Sequence, residues 1–350
     1  MKRIIKIFTD SLLNWYWEHG RQNLPWQNPY DAYRVWVSEI MLQQTQVKTV
    51  IPYFLNFMQR FPDIHTLAQA PLDDVLAAWS GLGYYSRARN LHRTAQEVVN
   101  QYQGIFPEEL SHLQNLPGIG RSTAAAIASL AFEHPTAILD GNVKRVLSRY
   151  FKIAGTDRTF ETQLWELAQA CMPQKECRAY TQAIMDLGAL CCTLHRPNCS
   201  LCPLRTDCRA LHANVVQDYP EKKPKKTRPT RHEQFIVLYS TDHQIYLEQR
   251  PLSGIWGGLW CLPSISQDID INKHLNATYT VTTDCGAPFM IYKHSFTHFH
   301  LHIKAYSIQI SPNSTLPGSW YTPSTIDQLG LAKPVKDIIH KFISLYSNTP

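Results

Sequence analysis

Over roughly the first 212 residues, apolar side chains recur at spacings of three and four. Pro, Gly and Asp punctuate the runs, which predicts a succession of amphipathic helices. Ile5, Phe8, Leu12 and Trp15 fall on one side of an N-terminal helix. Trp36, Ile40, Val47 and Ile51 make a second stripe, on a helix that also carries Glu39, Gln43 and Gln44. The pattern shows no internal repeat and changes at about residue 213. Pro220, Pro224 and Pro229 stand among Lys222, Lys223, Lys225, Lys226, Arg228 and Arg231, and proline density with like charge predicts an extended tether over 213–232. From 233 onward the period is strand-like. Phe235 to Tyr239 and Gln244 to Glu248 flank a polar turn, and Phe299 to Lys304 alternates apolar with polar. Val335 to Tyr346 returns to a helical stripe. The expectation is a multidomain chain: an all-α domain over 1–212, a basic Pro-rich linker over 213–232, and a small α+β domain over 233–350.

Composition sharpens this picture in a few places. Hydrophobic residues make up 44% and aromatic residues 11%, enough to bury sizeable cores, which excludes global disorder. A formal charge of +6 favours a polyanionic partner only weakly. The longest apolar run, Thr123 to Phe132, is too short to cross a bilayer, which takes ~20 residues. The Met-Lys-Arg start is interrupted by Lys6 and Asp10, with no small-residue cleavage site after it, so it reads as an amphipathic helix rather than a secretion signal. A cytoplasmic location without membrane contact is the expectation. Of nine cysteines, four cluster at 192, 199, 202 and 208, which argues for a metal or cluster site in a reducing compartment over a disulfide framework.

Three constellations carry candidate chemistry. Leu116-Pro117-Gly118-Ile119-Gly120 sits between helical segments, followed by Arg121, Ser122, Thr123 and a run of alanines. Gly118 and Gly120 permit positive φ, so backbone N–H groups there and at the start of the next helix can converge on one phosphate. An ordinary helix–helix turn is the bland alternative. The spacing Cys192-x6-Cys199-x2-Cys202-x5-Cys208 can close on one tetrahedral metal or one [4Fe–4S] cluster; spacing alone favours zinc. His195 and Arg196 on this loop are candidate phosphate contacts. Glu39 lies among Val37, Ile40, Met41 and Leu42, where desolvation would raise its pKa, although most helix glutamates face solvent. Asp140 precedes Val143 and Val146, as a helix cap does.

The hairpin, Asp140 about twenty residues after it, and the cysteine spacing together resemble the endonuclease III superfamily of helix-hairpin-helix DNA glycosylases. Glu39-Ile40-Met41-Leu42-Gln43-Gln44-Thr45-Gln46-Val47, Gly81-Leu82-Gly83-Tyr84-Tyr85 and Leu139-Asp140-Gly141-Asn142-Val143-Lys144-Arg145 are similar to the adenine DNA glycosylase (MutY type) family. Arg250-Pro251-Leu252-Ser253-Gly254-Ile255-Trp256-Gly257-Gly258 is similar to that family's Nudix-like module. The resemblance covers nearly the whole chain. It implies a helix-hairpin-helix catalytic domain whose four cysteines hold a [4Fe–4S] cluster, then a Nudix-like domain that reads the lesion.

It also implies chemistry. Glu39 would protonate the departing adenine and Asp140 would stabilise an oxocarbenium-like sugar, the two-carboxylate logic of glycoside hydrolysis. Asn142 would orient groups around Asp140. The bifunctional relatives carry a lysine where this chain has Ser122, so a monofunctional enzyme that leaves an abasic site is expected, with Lys144 the nearest amine in sequence. Base flipping precedes catalysis. The resemblance makes Gln44 the wedge and Tyr84 the aromatic beside the opposite base, within the contact motifs of Gln43 and Leu82, and gives Gln182 the adenine. Thr45 with Phe296, Thr297 and His298 would read 8-oxoguanine, Thr297 replacing the family's usual serine. The implied partner is double-stranded DNA with A·8-oxoguanine or A·G mispairs, bound by a monomer at the nucleoid. No Glu-rich Nudix helix follows Trp260, so the second domain should bind and not cut. A pyrimidine-specific glycosylase/lyase and a non-enzymatic DNA scanner are the alternatives; Ser122 and the added domain argue against the first.

Overall fold

The computed structural model describes residues 2–221, 227–312 and 316–346. The residues separate into two compact units. One comprises 1–69 with 90–224; the other comprises 70–89 with 225–350. Lys222, Lys223, Pro224, Lys225 and Lys226, the centre of the expected tether, lie outside the described residues.

The first unit is helical. Its N-terminal helix, Lys2–His19, buries Phe8, Leu12, Leu13 and Tyr16 against helices Arg158–Cys171 and Cys177–Asp186, with Thr9 Oγ1 donating to the Cys171 carbonyl at 2.7 Å. The expected stripe is thus present but rotated: Tyr16 takes the place of Trp15, which stays half-buried. Helix Ala32–Leu42 is capped by Asp31, whose carboxylate accepts from the Arg34 N–H, and it buries Val35, Trp36, Val37, Ile40 and Met41. It packs on helix Arg121–Phe132, whose alanines 124–126 and 128 allow close approach.

The expected single helix through Val47 and Ile51 is two. The first stops at Leu42, Gln44 adopts a left-handed φ of 59°, and a second helix runs Val47–Arg60. No proline or glycine marks this break, and a non-glycine residue in the left-handed region is uncommon enough to draw notice. It places Gln43, Gln44 and Thr45 on a turn.

The second unit is built on a mixed sheet of β1 (Thr230–Tyr239), β2 (Ile245–Gln249), β3 (Trp260–Cys261), β4 (Ser264–Ser266), β5 (Met290–Ser295), β6 (His300–Gln309) and β7 (Ser319–Tyr321). The strand order is β3-β2-β1-β6-β5, with β4 paired to β1 and β7 to β2. β1 and β6 run parallel, Thr230 opposite His300 through Tyr239 opposite Gln309; the other pairings are antiparallel. β1 opens at Thr230, inside the segment expected to be linker, because β6 offers it ladder partners from His300 onward. Phe235, Ile236, Val237 and Leu238 are all fully buried, since both faces of this central strand are covered. Ile236 and Leu238 pack with Tyr246, Leu275 of helix Ile271–Tyr279, and Ile308; Tyr239, one residue on, meets Phe342 of helix Lys333–Tyr346 with ring centroids 5.0 Å apart.

Residues 70–89 come from the middle of the helical sequence yet belong to this unit. Ser80 Oγ and Tyr85 OH both donate to the Leu331 carbonyl, Arg89 Nη1 donates to that of Gly257, and Asp73 accepts from Gln249 and Trp260. The change from one unit to the other falls inside the expected linker; what the expected bounds of 1–212 and 233–350 leave out is that 70–89 goes with the second unit.

Phe235→Ala should take about 3–5 kcal/mol from the unfolding free energy, as truncating a fully buried aromatic does. Ile291→Ala, 66% exposed on β5, should change it by less than about 0.5 kcal/mol. Urea unfolding followed by fluorescence and circular dichroism checks both.

Candidate active site

A cavity of about 770 Å³ opens in the helical unit, and the residues singled out by chemistry meet on its wall. Glu39 reaches it from the last turns of helix Ala32–Leu42, Gln43 and Thr45 from the turn that follows, Ser122 from the start of helix Arg121–Phe132, Asp140 and Asn142 from the start of helix Gly141–Phe151, and Gln182 from helix Cys177–Asp186. Trp26, Leu24, Met185 and Leu190 supply apolar wall. A space of this size, with polar groups converging from four helices, can take a small organic ligand.

Glu39 is half-buried on this wall. Loss of water, and after it the neighbouring Asp140 carboxylate, push its carboxyl up to about 7 from the usual 4.5. Asp140 is held by its own helix. One oxygen accepts from the Val143 N–H at 2.7 Å as an N-cap, and the other accepts from Asn142 Nδ2 at 3.1 Å. Asn142 is oriented in turn, its Oδ1 accepting from Arg145 Nη2 at 2.7 Å, while Arg145 also donates to the Gly188 and Cys192 carbonyls. Ser122 Oγ accepts from the Leu139 N–H at 3.1 Å and so ties the hairpin helix to the segment that delivers Asp140.

Gln182 Nε2 donates to Asp186 Oδ1 at 2.8 Å, and Asp186 also accepts from the Arg21 backbone and guanidinium. Lys144 is engaged elsewhere, its ammonium 2.7 Å from Glu161. The lysine on the cavity wall is Lys48, which sequence reasoning did not single out; only the break after Leu42 brings it there. Gln44 is exposed and off the cavity wall.

The hairpin has one glycine that must be glycine. Gly118 has a φ of +76°, and a Cβ there would stand 2.8 Å from Asn90 Cβ. Gly120 differs from expectation: it is the extended N-cap of the next helix, with φ −83° and open space where a Cβ would stand. Among the described residues no side chain caps that helix, so its first N–H groups are open to an acceptor from outside.

Cys192, Cys199, Cys202 and Cys208 line one small cavity, together with Cys191. Buried Arg149 organises the loop, donating to the carbonyls of Thr193, Leu194, Val216 and Tyr219 and to Cys192 Sγ. Among the described residues no three His, Cys, Asp or Glu side chains are grouped to hold a single metal ion. Five thiols around one cavity, beside a guanidinium, are soft donors of the kind that hold a thiophilic metal or an anionic iron–sulfur cluster.

A second cavity, of about 510 Å³, lies in the other unit. Tyr84, with φ 49° and 43% exposure, lines it with Trp256, Phe296, Thr297 and His298, and Phe296 stacks on Phe299 at 4.5 Å. Leu82 is buried and lines neither of these cavities. Among the described residues no helix is long and apolar enough to cross a membrane.

Residues 37–170 match the HhH-GPD superfamily of base excision DNA repair proteins and 234–341 match the NUDIX domain. The fold agrees: a thermostable thymine-DNA glycosylase superposes with a TM-score of 0.55 at 28% identity over 60% of this chain and 98% of that one. An endonuclease III in complex with DNA superposes with a TM-score of 0.53 at 21% identity, over 61% and 98%. Helical cavity and hairpin thus define a base excision repair protein of the helix-hairpin-helix class. The full chain narrows this. It is 41% identical to an adenine DNA glycosylase of Buchnera aphidicola subsp. Schizaphis graminum, over 97% of this chain and 99% of that one, and 33% identical to the adenine DNA glycosylase of Mus musculus, over 97% and 78%. The chain belongs to the adenine DNA glycosylase family, enzymes that hydrolyse N-glycosyl bonds.

The raised Glu39 pKa has a consequence for folding. The folded state holds this proton until about pH 7 and the unfolded chain until about 4.5, so the stability the proton contributes is complete below about 4.5 and is lost as pH rises through 7. Glu39→Gln cannot ionise. It should melt higher than the wild type at pH 8 and equally at pH 4.5, by scanning calorimetry.

Proposed function

We propose that this chain excises adenine mispaired with 8-oxoguanine or guanine from double-stranded DNA, as a monofunctional monomer that leaves an abasic site. The observation that carries the proposal is the shared cavity, in which a carboxyl that keeps its proton to near neutrality faces a second carboxylate fixed by backbone and amide donors.

Glu39 donates its proton to a ring nitrogen of the flipped adenine, which makes the base a better leaving group. Asp140, whose two oxygens are anchored on Val143 and Asn142, stands against the cationic sugar left behind. Gln182 faces the base. Gly118 and the open N–H groups after it, from Gly120 on, grip a backbone phosphate, and His195 and Arg196 on the cysteine loop add charge to the same partner. Gln44, next to Gln43, fills the vacated stack, and Thr45 contributes to reading the opposite base. Tyr84 with Phe296, Thr297 and His298 reads the opposite base, an assignment supported by the aromatic cavity they form within one unit. Ser122 carries no amine and Lys144 is held by Glu161, which supports monofunctional chemistry. Efficient borohydride trapping, at Lys48 on the cavity wall or elsewhere, would overturn it.

Cys192, Cys199, Cys202 and Cys208 would hold a [4Fe–4S] cluster, whose irons would accept their four thiolates and so close the loop, catalysis being left to the residues above. Purified chain should carry about four irons and four sulfides, and Cys199→Ala should lower both; one zinc per chain would refute the cluster.

Single-turnover cleavage of an A·8-oxoguanine duplex should be about 10²–10⁴-fold slower for Glu39→Gln, the range that a general acid contributes. The wild-type rate should fall about tenfold per pH unit above 7, as Glu39 loses the proton it must donate. Equal rates for the two proteins would remove Glu39 from the mechanism.

A further inference from the structure

Asp186 lies behind the wall of the active-site cavity, fully buried, and four hydrogen bonds converge on its carboxylate. Three come from Arg21, through its backbone N–H to Oδ2 and its guanidinium to Oδ1; the fourth comes from Gln182 Nε2 at 2.8 Å. A carboxylate paired with a guanidinium accepts and does not donate, so the atom of Gln182 that faces it is the amide nitrogen. An unconstrained glutamine amide can turn over and exchange donor for acceptor; this one cannot without breaking a buried hydrogen bond. Its other end, Oε1, has no hydrogen-bond partner among the described residues, and Gln182 lines the cavity.

We propose that Asp186 is a specificity-determining positioning residue: by fixing the Gln182 amide it presents an acceptor to the base edge, selecting a purine with an amino group at C6 and rejecting one with a carbonyl there. This rests on the reading that Gln182 faces the excised base. A 6-amino group donates to Oε1, whereas a 6-oxo group sets two acceptors against each other with neither satisfied. Sites that hydrogen-bond one group reject its mismatch far more strongly than apolar pockets do, because a buried polar atom is left unpaired. Asp186 itself touches no substrate. Arg21 is part of the device: its three bonds hold the Asp186 carboxylate in place, and it lies on the cavity wall beside Gln182.

The test compares single-turnover excision of adenine and of hypoxanthine, each opposite 8-oxoguanine in otherwise identical duplexes. In Asp186→Asn the new amide can donate to Gln182, the glutamine can turn over, and the adenine-to-hypoxanthine rate ratio should fall by about tenfold or more. The double variant Gln182→Glu with Asp186→Asn reverses the polarity of the bond but leaves a carboxylate oxygen facing the base, and the ratio should return toward wild type. A purely structural role for Asp186 would slow both bases by one factor and leave the ratio unchanged, which would overturn the proposal. If Asp186→Asn alone does not fold, the double variant still decides: a ratio near one would refute the proposal. Loss of adenine excision in the wild type would instead refute the proposed function, so the two failures are distinguishable.

Discussion

The site depends on a carboxyl group kept out of bulk water beside another carboxylate. Glu39 holds its proton to near neutrality chiefly because the cavity wall desolvates it, and the Asp140 charge adds to that. The two effects act in the same direction, so neither has to be extreme. A Glu39 sealed off from the cavity could not reach a ligand in it, and a solvated one would lose its proton near pH 4.5. Half-burial on the wall of an open cavity is the compromise, and it requires that the helix bearing Glu39 end close by.

The second carboxylate needs the opposite treatment. Asp140 is held in a fixed direction by the start of its helix, where the Val143 N–H bonds one of its oxygens. What keeps the helix start in register is a relay of hydrogen bonds: Asn142 to Asp140, Arg145 to Asn142, and Arg145 again to the carbonyls of Gly188 and Cys192. Arg149, one turn further along, gathers five carbonyls of the cysteine loop and the segment after it. Two arginines on one helix therefore join the Asp140 carboxylate to the cysteine loop, and both are buried. Through these side chains the cysteine loop is hydrogen-bonded to the same helix that starts at Asp140.

How much of this the sequence disclosed differs from residue to residue. The helical and strand-like halves follow from periodicity, and β1 was recognisable because a strand covered on both faces reads as an unbroken apolar run. Gly118 was legible because a left-handed, crowded backbone position admits little else, whereas Gly120, equally prominent in the motif, turned out to be extended and uncrowded. The break after Leu42 was not legible. Gln44 in the left-handed region has no glycine or proline to announce it, and the apolar stripe continues through it as if one helix persisted. That break brings Thr45 and Lys48 to the cavity wall. The membership of 70–89 in the second unit was equally hidden, because it rests on side chains reaching carbonyls about 250 residues away in sequence, such as Leu331, and no local pattern encodes them.

The division of labour between the two units follows from what each fold offers. Helix termini provide fixed N–H groups and convergent side chains at chosen angles, which suits a cavity where charge must develop at one atom. A sheet whose strand ends project loops provides aromatic surface, and Phe296 stacked on Phe299 beside Trp256 is such a surface. Tyr84 joins it only because a segment from the helical half of the sequence folds onto the sheet unit through Asp73, Ser80, Tyr85 and Arg89. Removing the C-terminal residues would therefore strip partners from 70–89 as well as delete the aromatic loop. A truncated helical half would for that reason keep 70–89 in its sequence but lose the carbonyls and side chains that hold this segment in place.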